Sequence, residues 1–222
     1  MNKLQEIKEE LRLVLKGKTI DAMVPPIVFA VGIQFAPLIY ALSVALFVAL
    51  LVSVYRLIKR TTVLYAIGGF IATGVAGAAA YALGEASGYF LPGMISNGAI
   101  ALLIGLSVII KRPAAMILSH ITRGWPITWF ARRDVYPAYW EVSLAWFVLF
   151  VARLGLLWTV YLGASDALIA LTNIILGFPA TLGALIASYF YGIWRLRNLG
   201  GPGVDEFIND TAPPWRGQTR GF

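Results

Sequence analysis

Long apolar stretches, each about as long as a membrane is thick, constrain this chain more than any other feature. Pro37–Leu57 and Val63–Leu83 are two of them, and each is close to the ~20 residues that a helix needs to cross the hydrocarbon core. Of the 222 residues, 59% are hydrophobic and only 13% are charged, whereas in a soluble domain roughly half are apolar and a quarter are charged. A soluble core could not hide this much apolar surface. The sequence therefore predicts an integral membrane protein for which lipid is the main solvent.

The fold predicted from these stretches is an all-α, polytopic transmembrane helix bundle with six spans. Gly32 and Pro37 bracket a turn that divides the first long apolar stretch into a short helix and a full span. The Gly177-Phe178-Pro179 run predicts a kink inside the last span. The predicted spans are Ile20–Ile33, Pro37–Leu57, Val63–Leu83, Phe90–Ile110, Tyr136–Leu162 and Asp166–Trp194.

Three regions follow from this division of the chain. Residues 1–19 have apolar side chains at helical spacing among charged ones, which predicts an amphipathic helix on the membrane surface or docked on the protein's own loops. Residues 20–197 form the six-span domain. Residues 198–222 are polar and rich in glycine and proline, which favours a flexible cytoplasmic tail. Ala114–Ile121, between the fourth and fifth spans, is predicted to be a short interfacial helix.

The basic residues indicate the orientation of the spans. Every one of the 18 lysines and arginines except Arg153 lies in a terminal segment, in a loop or, for Arg56, at the adjoining end of a span, all on the side where six spans place both termini. Because lysine and arginine collect on cytoplasmic loops, both termini are predicted to be cytoplasmic in a cell (inner) membrane. Five spans, with residues 22–57 as one helix, would export the basic N-terminal segment. The six spans form three hairpins with basic ends, and these hairpins are either independent or a threefold internal repeat.

A stripe of small residues runs along the third span at every fourth position. Such a stripe lets another helix approach closely in a membrane. It predicts a helix-packing face and says nothing about chemistry. The stripe consists of Gly68, Ala72, Ala76, Ala80 and Gly84.

Arg153 is the basic residue that lies deep inside a predicted span, far from both of its ends. A charge at a span centre costs ~2.5–3.5 kcal/mol on insertion scales, so its side chain is expected to face the bundle and to have a partner. The candidate partners in the outer half are Glu85, Asn97, Asn173 and Asp166, with Glu85 the first choice. Such a group is either a buried pair that fixes helix packing or a polar site for a substrate or proton.

The segment before the fourth span combines an acid with helix breakers. Glu85 is followed by Phe90-Leu91-Pro92-Gly93, a structural motif that favours either a tight turn between two spans or a helix start that attracts an anion. Gly177 and Pro179 form the corresponding motif in the last span. Both motifs are interpreted as interruptions of the helices.

Chemical signatures are absent elsewhere. The chain has no cysteine, and its one histidine, His120, is interpreted as a surface residue of the interfacial helix rather than a ligand. No nucleotide-binding, zincin or nucleophile-elbow motif is present, so no catalytic residue, cofactor or metal is predicted. The predicted partners are the lipid bilayer, anionic lipid at the basic loops, and a second copy or another membrane protein. The net charge of +7 is attributed to topology and not to nucleic acid.

Several short motifs, in order, resemble a known family. They are the runs Glu85…Tyr89-Phe90-Leu91-Pro92-Gly93…Asn97, Ser107-Val108-Ile109-Ile110-Lys111-Arg112-Pro113, Phe150-Val151-Ala152-Arg153-Leu154 and Gly177-Phe178-Pro179. They resemble a family of uncharacterised bacterial multi-pass membrane proteins, a domain of unknown function that is distantly similar to septation protein A. The resemblance covers most of residues 10–197 and implies a bacterial cytoplasmic membrane, with no activity attached.

Three functional hypotheses remain from the sequence. The first is a small carrier or channel-like protein whose polar site lies around Arg153, Glu85 and Asn97. The second is a non-transporting structural or assembly protein of the cell envelope or division machinery. A membrane enzyme is the third and least supported, because no nucleophile and base pair is recognisable.

Overall fold

The computed structural model describes the backbone of residues 20–59, 63–219 and 221–222, and the side chains of 24–59, 67–219 and 221–222. These residues are largely helical and include no strand, which confirms the all-α fold class for this part of the chain. The amphipathic helix predicted for residues 1–19 lies outside it. In chain order the helices are α1 (Ile20–Gly32), α2 (Leu38–Ile58), α3 (Val63–Leu83), a 3₁₀ helix (Ala86–Phe90), α4 (Leu91–Ile109), α5 (Ala114–Arg123), α6 (Ile127–Phe130), α7 (Tyr136–Gly163), α8 (Asp166–Leu176), α9 (Phe178–Leu199) and α10 (Val204–Ile208).

Among the residues whose side chains the structure describes, four helical segments are long and apolar enough to cross a membrane. They are Leu38–Ile58, Ala86–Ile109, Tyr136–Gly163 and Asp166–Leu199. The α1 helix has 13 residues, about 20 Å at 1.5 Å per residue, which is shorter than the ~30 Å hydrocarbon core. These lengths and compositions fit a membrane protein, whereas the arrangement as six spans in three hairpins stays a prediction.

Local signals place the helix ends close to where the sequence predicts them. The backbone turns at Gln34 and Phe35, whose N–H groups donate to the carbonyls of Val31 and Gly32, and α2 begins after Pro37. Pro25 and Pro26 lie inside α1 and not at its start. Each of these two prolines lacks the N–H that an interior helical residue donates.

The interruption predicted in the last span is present between α8 and α9. Gly177 has ψ −120°, which is outside the helical range, and α9 begins at Phe178 with Pro179 in its first turn. A Cβ atom added to Gly177 would lie 2.7 Å from the carbonyl oxygen of Asn173. The break therefore requires a residue without a side chain.

The chain divides into two compact units. The first comprises Met1–Met94 and Leu157–Phe178. Its core has an aromatic centre, where the fully buried ring of Phe29 stacks on Tyr89 with ring centroids 4.1 Å apart and Phe90 packs beside both. The rest of this core is mostly alanine from α2, α3 and α8. Such small side chains let helices approach closely. Within a membrane, van der Waals contacts between closely packed helices stabilise the bundle, because no hydrophobic effect drives helices together there.

The second unit comprises Ile95–Leu156 and Pro179–Phe222. Its core lies around α6 and the start of α7, where Trp129, Phe130 and Tyr139 are fully buried and meet edge to face. Aromatic pairs favour this arrangement, which contributes beyond the buried area. The indole N–H of Trp129 donates to the carbonyl of Pro202 at 3.0 Å, so this large polar ring has a partner.

The small-residue stripe of α3 is only partly packed. Ala76 and Ala80 are buried in the core of the first unit, but Ala72 is exposed and a Cβ atom on Gly68 would meet nothing within 4 Å. Gly84 has φ +68° just after the helix ends, a conformation that favours glycine. The buried face follows positions 73, 76, 77 and 80, the i, i+3, i+4, i+7 spacing of one helical face.

The sequence predicts a flexible tail over residues 198–222, whereas the described residues of this segment are part of the second unit and pack into it. The ring of Phe222 stacks on Tyr139 with centroids 4.4 Å apart and occupies the space where Gly192 would carry a Cβ atom. The side chain of Gln218 is buried, accepts a hydrogen bond from the N–H of Val204 and donates one to the carbonyl of Gly221. Local composition favours a flexible tail, but the slot beside Gly192 gives this segment a place to pack.

Candidate functional site

Arg153 lies in the apolar middle of α7, ten residues before the helix ends at Gly163. Along the helix axis this is about 15 Å, further than its side chain can snorkel in full. The Nε atom of Arg153 is buried and has no hydrogen-bond partner among the described residues. A guanidinium keeps its charge in proteins. A buried N–H group without a partner is costly. We therefore expect Arg153 to bind a group that is not one of the described side chains.

Asn97 brings a second polar group to the same helix. It lies on α4, is 3% exposed, and its Nδ2 atom donates to the carbonyl of Phe150 at 3.0 Å. That bond fixes the amide orientation, because only the NH₂ end can donate to a carbonyl. The Oδ1 atom is buried and accepts no hydrogen bond in the described part of the chain. A buried acceptor without a partner is costly.

Glycines allow α4 to lie close to α7 at this level. A Cβ atom on Gly98 would meet Leu154 at 3.4 Å, and one on Gly105 would lie 2.7 Å from the ring of Phe147. Phe150 and Arg153 are three residues apart and so share a helix face. The amide of Asn97 thus lies about one helical turn from the backbone of Arg153. Together they form the polar pair of α4 and α7.

The acid of α7 is engaged elsewhere. The carboxylate of Glu141 accepts two hydrogen bonds from Arg195, both 2.7 Å, and one of 2.8 Å from the hydroxyl of Tyr191. Glu141 is also twelve residues before Arg153, about 18 Å along the helix. It therefore does not compensate the Arg153 charge.

The remaining predicted site residues belong to the first unit. Glu85 is exposed and accepts a hydrogen bond from Ser87 at 3.2 Å, and Asp166 is exposed at the start of α8. Asn173 donates to the carbonyl of Ile169 in its own helix. The structure thus brings Asn97 to the helix of Arg153. The predicted pairing of Arg153 with Glu85 stays a prediction.

The structural motif before the fourth span divides into two parts. Tyr89 and Phe90 complete the aromatic centre of the first unit. Leu91 begins α4, with Pro92 and Gly93 in its first turn, where a proline loses no hydrogen bond. The second part of the motif therefore forms the start of α4, the helix that contains Asn97.

Sequence reasoning did not identify the ion-paired group of Glu141, Tyr191 and Arg195. Tyr191 and Arg195 lie 50 and 54 residues after Glu141 in the sequence, so no local pattern links the three residues. The available signal was Glu141 itself, a carboxylate at the beginning of a long apolar helix, where a charge requires compensation.

A further charged cluster lies between α6 and the C-terminal segment. Arg132 forms two hydrogen bonds with Asp134, at 2.9 and 2.7 Å, and its guanidinium lies 5.3 Å from the ring centroid of Trp215. The hydrogen bond to Asp134 raises the pKa of Arg132. Hydrogen bonds from the backbone N–H groups of Arg216, Gly203 and Gly217 lower the pKa of Glu206. In both cases the hydrogen bonds favour the charged form of the side chain and thereby stabilise the fold.

Comparisons with known proteins confirm one part of the expected resemblance, membership of a family of unknown function. No curated protein and no solved structure matches this chain. A family described as "Protein of unknown function (DUF3159)" matches residues 16–195, which include every helix from α1 to α8 and most of α9. The chain therefore belongs to the DUF3159 family of proteins of unknown function.

Proposed function

We propose that this protein is a small carrier or channel-like protein for a small anionic solute, with its site at Asn97 and Arg153. The observation that carries the proposal is a pair of buried polar atoms, Asn97 Oδ1 and Arg153 Nε, that lack hydrogen-bond partners in the described residues. Arg153 supplies a permanent positive charge for an anion. Asn97 Oδ1 supplies an acceptor for a hydroxyl, an N–H group or water.

The proposal includes a topology. Six spans in three hairpins, with both termini in the cytoplasm of a bacterial cell, account for the position of every basic residue except Arg153. In this arrangement Arg153, Asn97, Glu85, Asp166 and Asn173 all belong to the outer half of the bundle. Anionic lipids would face the basic cytoplasmic loops.

Thermal unfolding in lipid nanodiscs tests the site. Chloride, nitrate, acetate and phosphate are added separately to the wild type, to Arg153→Gln and to the matched control Arg197→Gln, which removes an exposed arginine of the same unit. A bound anion at 100 times its Kd should raise the wild-type Tm by roughly 5–10 °C. The control should keep this shift and Arg153→Gln should lose it.

A positive shift would lead to flux measurements in proteoliposomes with the same anion. Equal shifts in the wild type and Arg153→Gln would place anion binding elsewhere. No shift with any of the four anions would overturn the small-anion proposal.

The second candidate function is a structural or assembly protein of the cell envelope or division machinery. The observation in its favour is the number of polar groups that only hold the fold together, such as the Glu141–Arg195 pair. The resemblance of the sequence motifs to a family distantly similar to septation protein A is part of this proposal. It predicts that no anion changes the Tm and that Arg153→Gln destabilises the protein.

A further inference from the structure

The short helix α5 has its apolar side outward. Leu118 and Ile121 are 62% and 72% exposed, and Ile117 is 39% exposed, whereas Ser119 is buried and His120 is half-buried. We call Ile117, Leu118 and Ile121 the outer ridge of α5. A helix on a water-facing surface would have the opposite arrangement, because exposed aliphatic side chains gain nothing from water.

The helix is held firmly in this orientation. The hydroxyls of Ser107 and Ser143 accept hydrogen bonds from the N–H groups of Ala114 and Ala115, both at 3.0 Å. At the other end, Gly124 adopts φ +70° and closes the helix by donating to the carbonyl of His120. Capping groups at both ends satisfy backbone groups that would otherwise be free. The outward ridge is thus a property of the fold and not of a loose segment.

The polar residue next to the outer ridge has its hydroxyl group bonded within the helix. Thr122 is exposed beside it, and its hydroxyl donates to the carbonyl of Leu118 at 2.8 Å. Ile109, the last residue of α4, and Ile110, which follows it, are 75% and 63% exposed. The apolar surface of a candidate membrane span thus continues towards the ridge.

Cationic side chains follow directly in the connection to α5. Lys111 and Arg112 are both exposed, between Ile110 and the buried Pro113. Lys111 adopts φ +60°, an uncommon conformation for a residue with a side chain. Basic groups next to an apolar helix face complement an anionic lipid surface, which attracts each lysine or arginine.

We propose that α5 is an interfacial anchor. Its outer ridge inserts among the acyl chains, and Lys111 and Arg112 bind the phosphates of anionic phospholipids. Lipid is the expected occupant because the exposed charges are positive and the ridge is continuous with the apolar end of α4. It does not depend on the anion site at Arg153.

The absence of cysteine from the sequence permits a direct test of depth. A nitroxide label is attached to Leu118→Cys, to Leu103→Cys on an exposed part of α4, and to Thr219→Cys on the C-terminal segment. In nanodiscs, collision with oxygen reports lipid and collision with a water-soluble nickel chelate reports water. We expect label 118 to resemble label 103 and label 219 to be water-accessible. If label 118 collides mainly with the chelate, or with neither reagent as under a protein partner, the proposal is overturned.

Lipid selectivity tests the charged part. The wild type, the double variant Lys111→Gln/Arg112→Gln, and the control Arg197→Gln/Arg216→Gln are reconstituted in mixed phosphatidylglycerol and phosphatidylcholine, and co-purified lipid is quantified by mass spectrometry. Each removed charge near the surface should weaken phosphatidylglycerol enrichment by up to about fivefold. Equal enrichment in the wild type and the Lys111/Arg112 variant would overturn the phosphate assignment. An equal loss in the control would also overturn this assignment, because arginines at other positions would then attract the lipid equally well.

Discussion

At Gly88 the 3₁₀ helix approaches α3 so closely that a side chain has no room. A Cβ atom there would lie 3.0 Å from the Cα atom of Ala80 and 3.1 Å from the carbonyl oxygen of Ala79. Backbone atoms cannot rotate away as a flexible side chain can. Gly74, on α3, would meet nothing within 4 Å. These two glycines form a matched pair for testing the packing of the first unit.

We predict that Gly88→Ala destabilises the protein by about 1–3 kcal/mol, because the 3₁₀ helix must shift away from α3. Gly74→Ala should be neutral, or should stabilise by up to about 1 kcal/mol through lower backbone entropy in the unfolded chain. Reversible unfolding in detergent with a denaturant series measures both. Equal effects of the two substitutions would contradict the close approach.

At the scale of a helix, α3 has one packed face and one open face. Ala76 is buried against the core, whereas Ala72, one turn earlier in the same small-residue stripe, is exposed. Exposure of Ala72 leaves room for a larger side chain, and burial of Ala76 does not. The positions of the stripe predicted from the sequence therefore differ in how well they tolerate a larger side chain.

Ala76→Leu should lower the free energy of unfolding by about 1–3 kcal/mol, because the added atoms separate tightly packed helices. Ala72→Leu should change it by less than about 0.5 kcal/mol. Thermal unfolding in one detergent compares the two variants. If Ala72→Leu is the more harmful, another helix covers the open face.

The C-terminal segment is held by a carboxylate. Glu206 accepts hydrogen bonds from the N–H groups of Gly203 at 2.8 Å, Arg216 at 2.7 Å and Gly217 at 3.1 Å. These bonds favour the ionised carboxylate and lower its pKa below the usual 4.5. Their stabilisation is present above the ordinary glutamate pKa and is lost as the pH falls through the lower, folded-state value.

Hydrogen exchange at the amides of Arg216 and Gly217 should therefore report acidification. Protection, corrected for intrinsic rates, should be constant well above the ordinary glutamate pKa and should fall once the pH drops below that pKa in the wild type. Glu206→Gln should lower protection at pH 7 and flatten the pH dependence. An unchanged pH profile in that variant would show that another group controls the segment.

At the scale of the whole molecule, the sequence predicts helices better than it predicts packing. Apolar length and punctuation by Pro37, Gly177 and Pro179 are local signals, so the helix ends agree within a few residues. The slot that receives Phe222 requires Gly192 and Tyr139 to meet, and the Glu141–Arg195 pair joins distant segments. No local pattern encodes these meetings. The position of Asn97 inside the fourth span indicates a candidate site residue. The sequence does not indicate that its hydrogen-bond partner is the carbonyl of Phe150.

The orientation in the membrane can be read from single cysteines. We predict that Gln34→Cys, at the exposed turn between α1 and α2, reacts with an impermeant maleimide in intact spheroplasts. Thr219→Cys should react only after the membrane is permeabilised. Labelling of both from the same side would contradict six spans with cytoplasmic termini. A Gln34→Cys that stays unlabelled even after permeabilisation would favour a single long first span.

The Glu206 bonds have a consequence for what the chain can tolerate. Residues 209–214 lie between the points that this carboxylate holds together, and all six are exposed. Because Gly203, Arg216 and Gly217 are fixed from outside this loop, extra residues between Ala212 and Pro213 should bulge outward without loosening the ends. The loop is therefore a suitable place for an inserted epitope, and antibody access to it would report its side of the membrane in living cells.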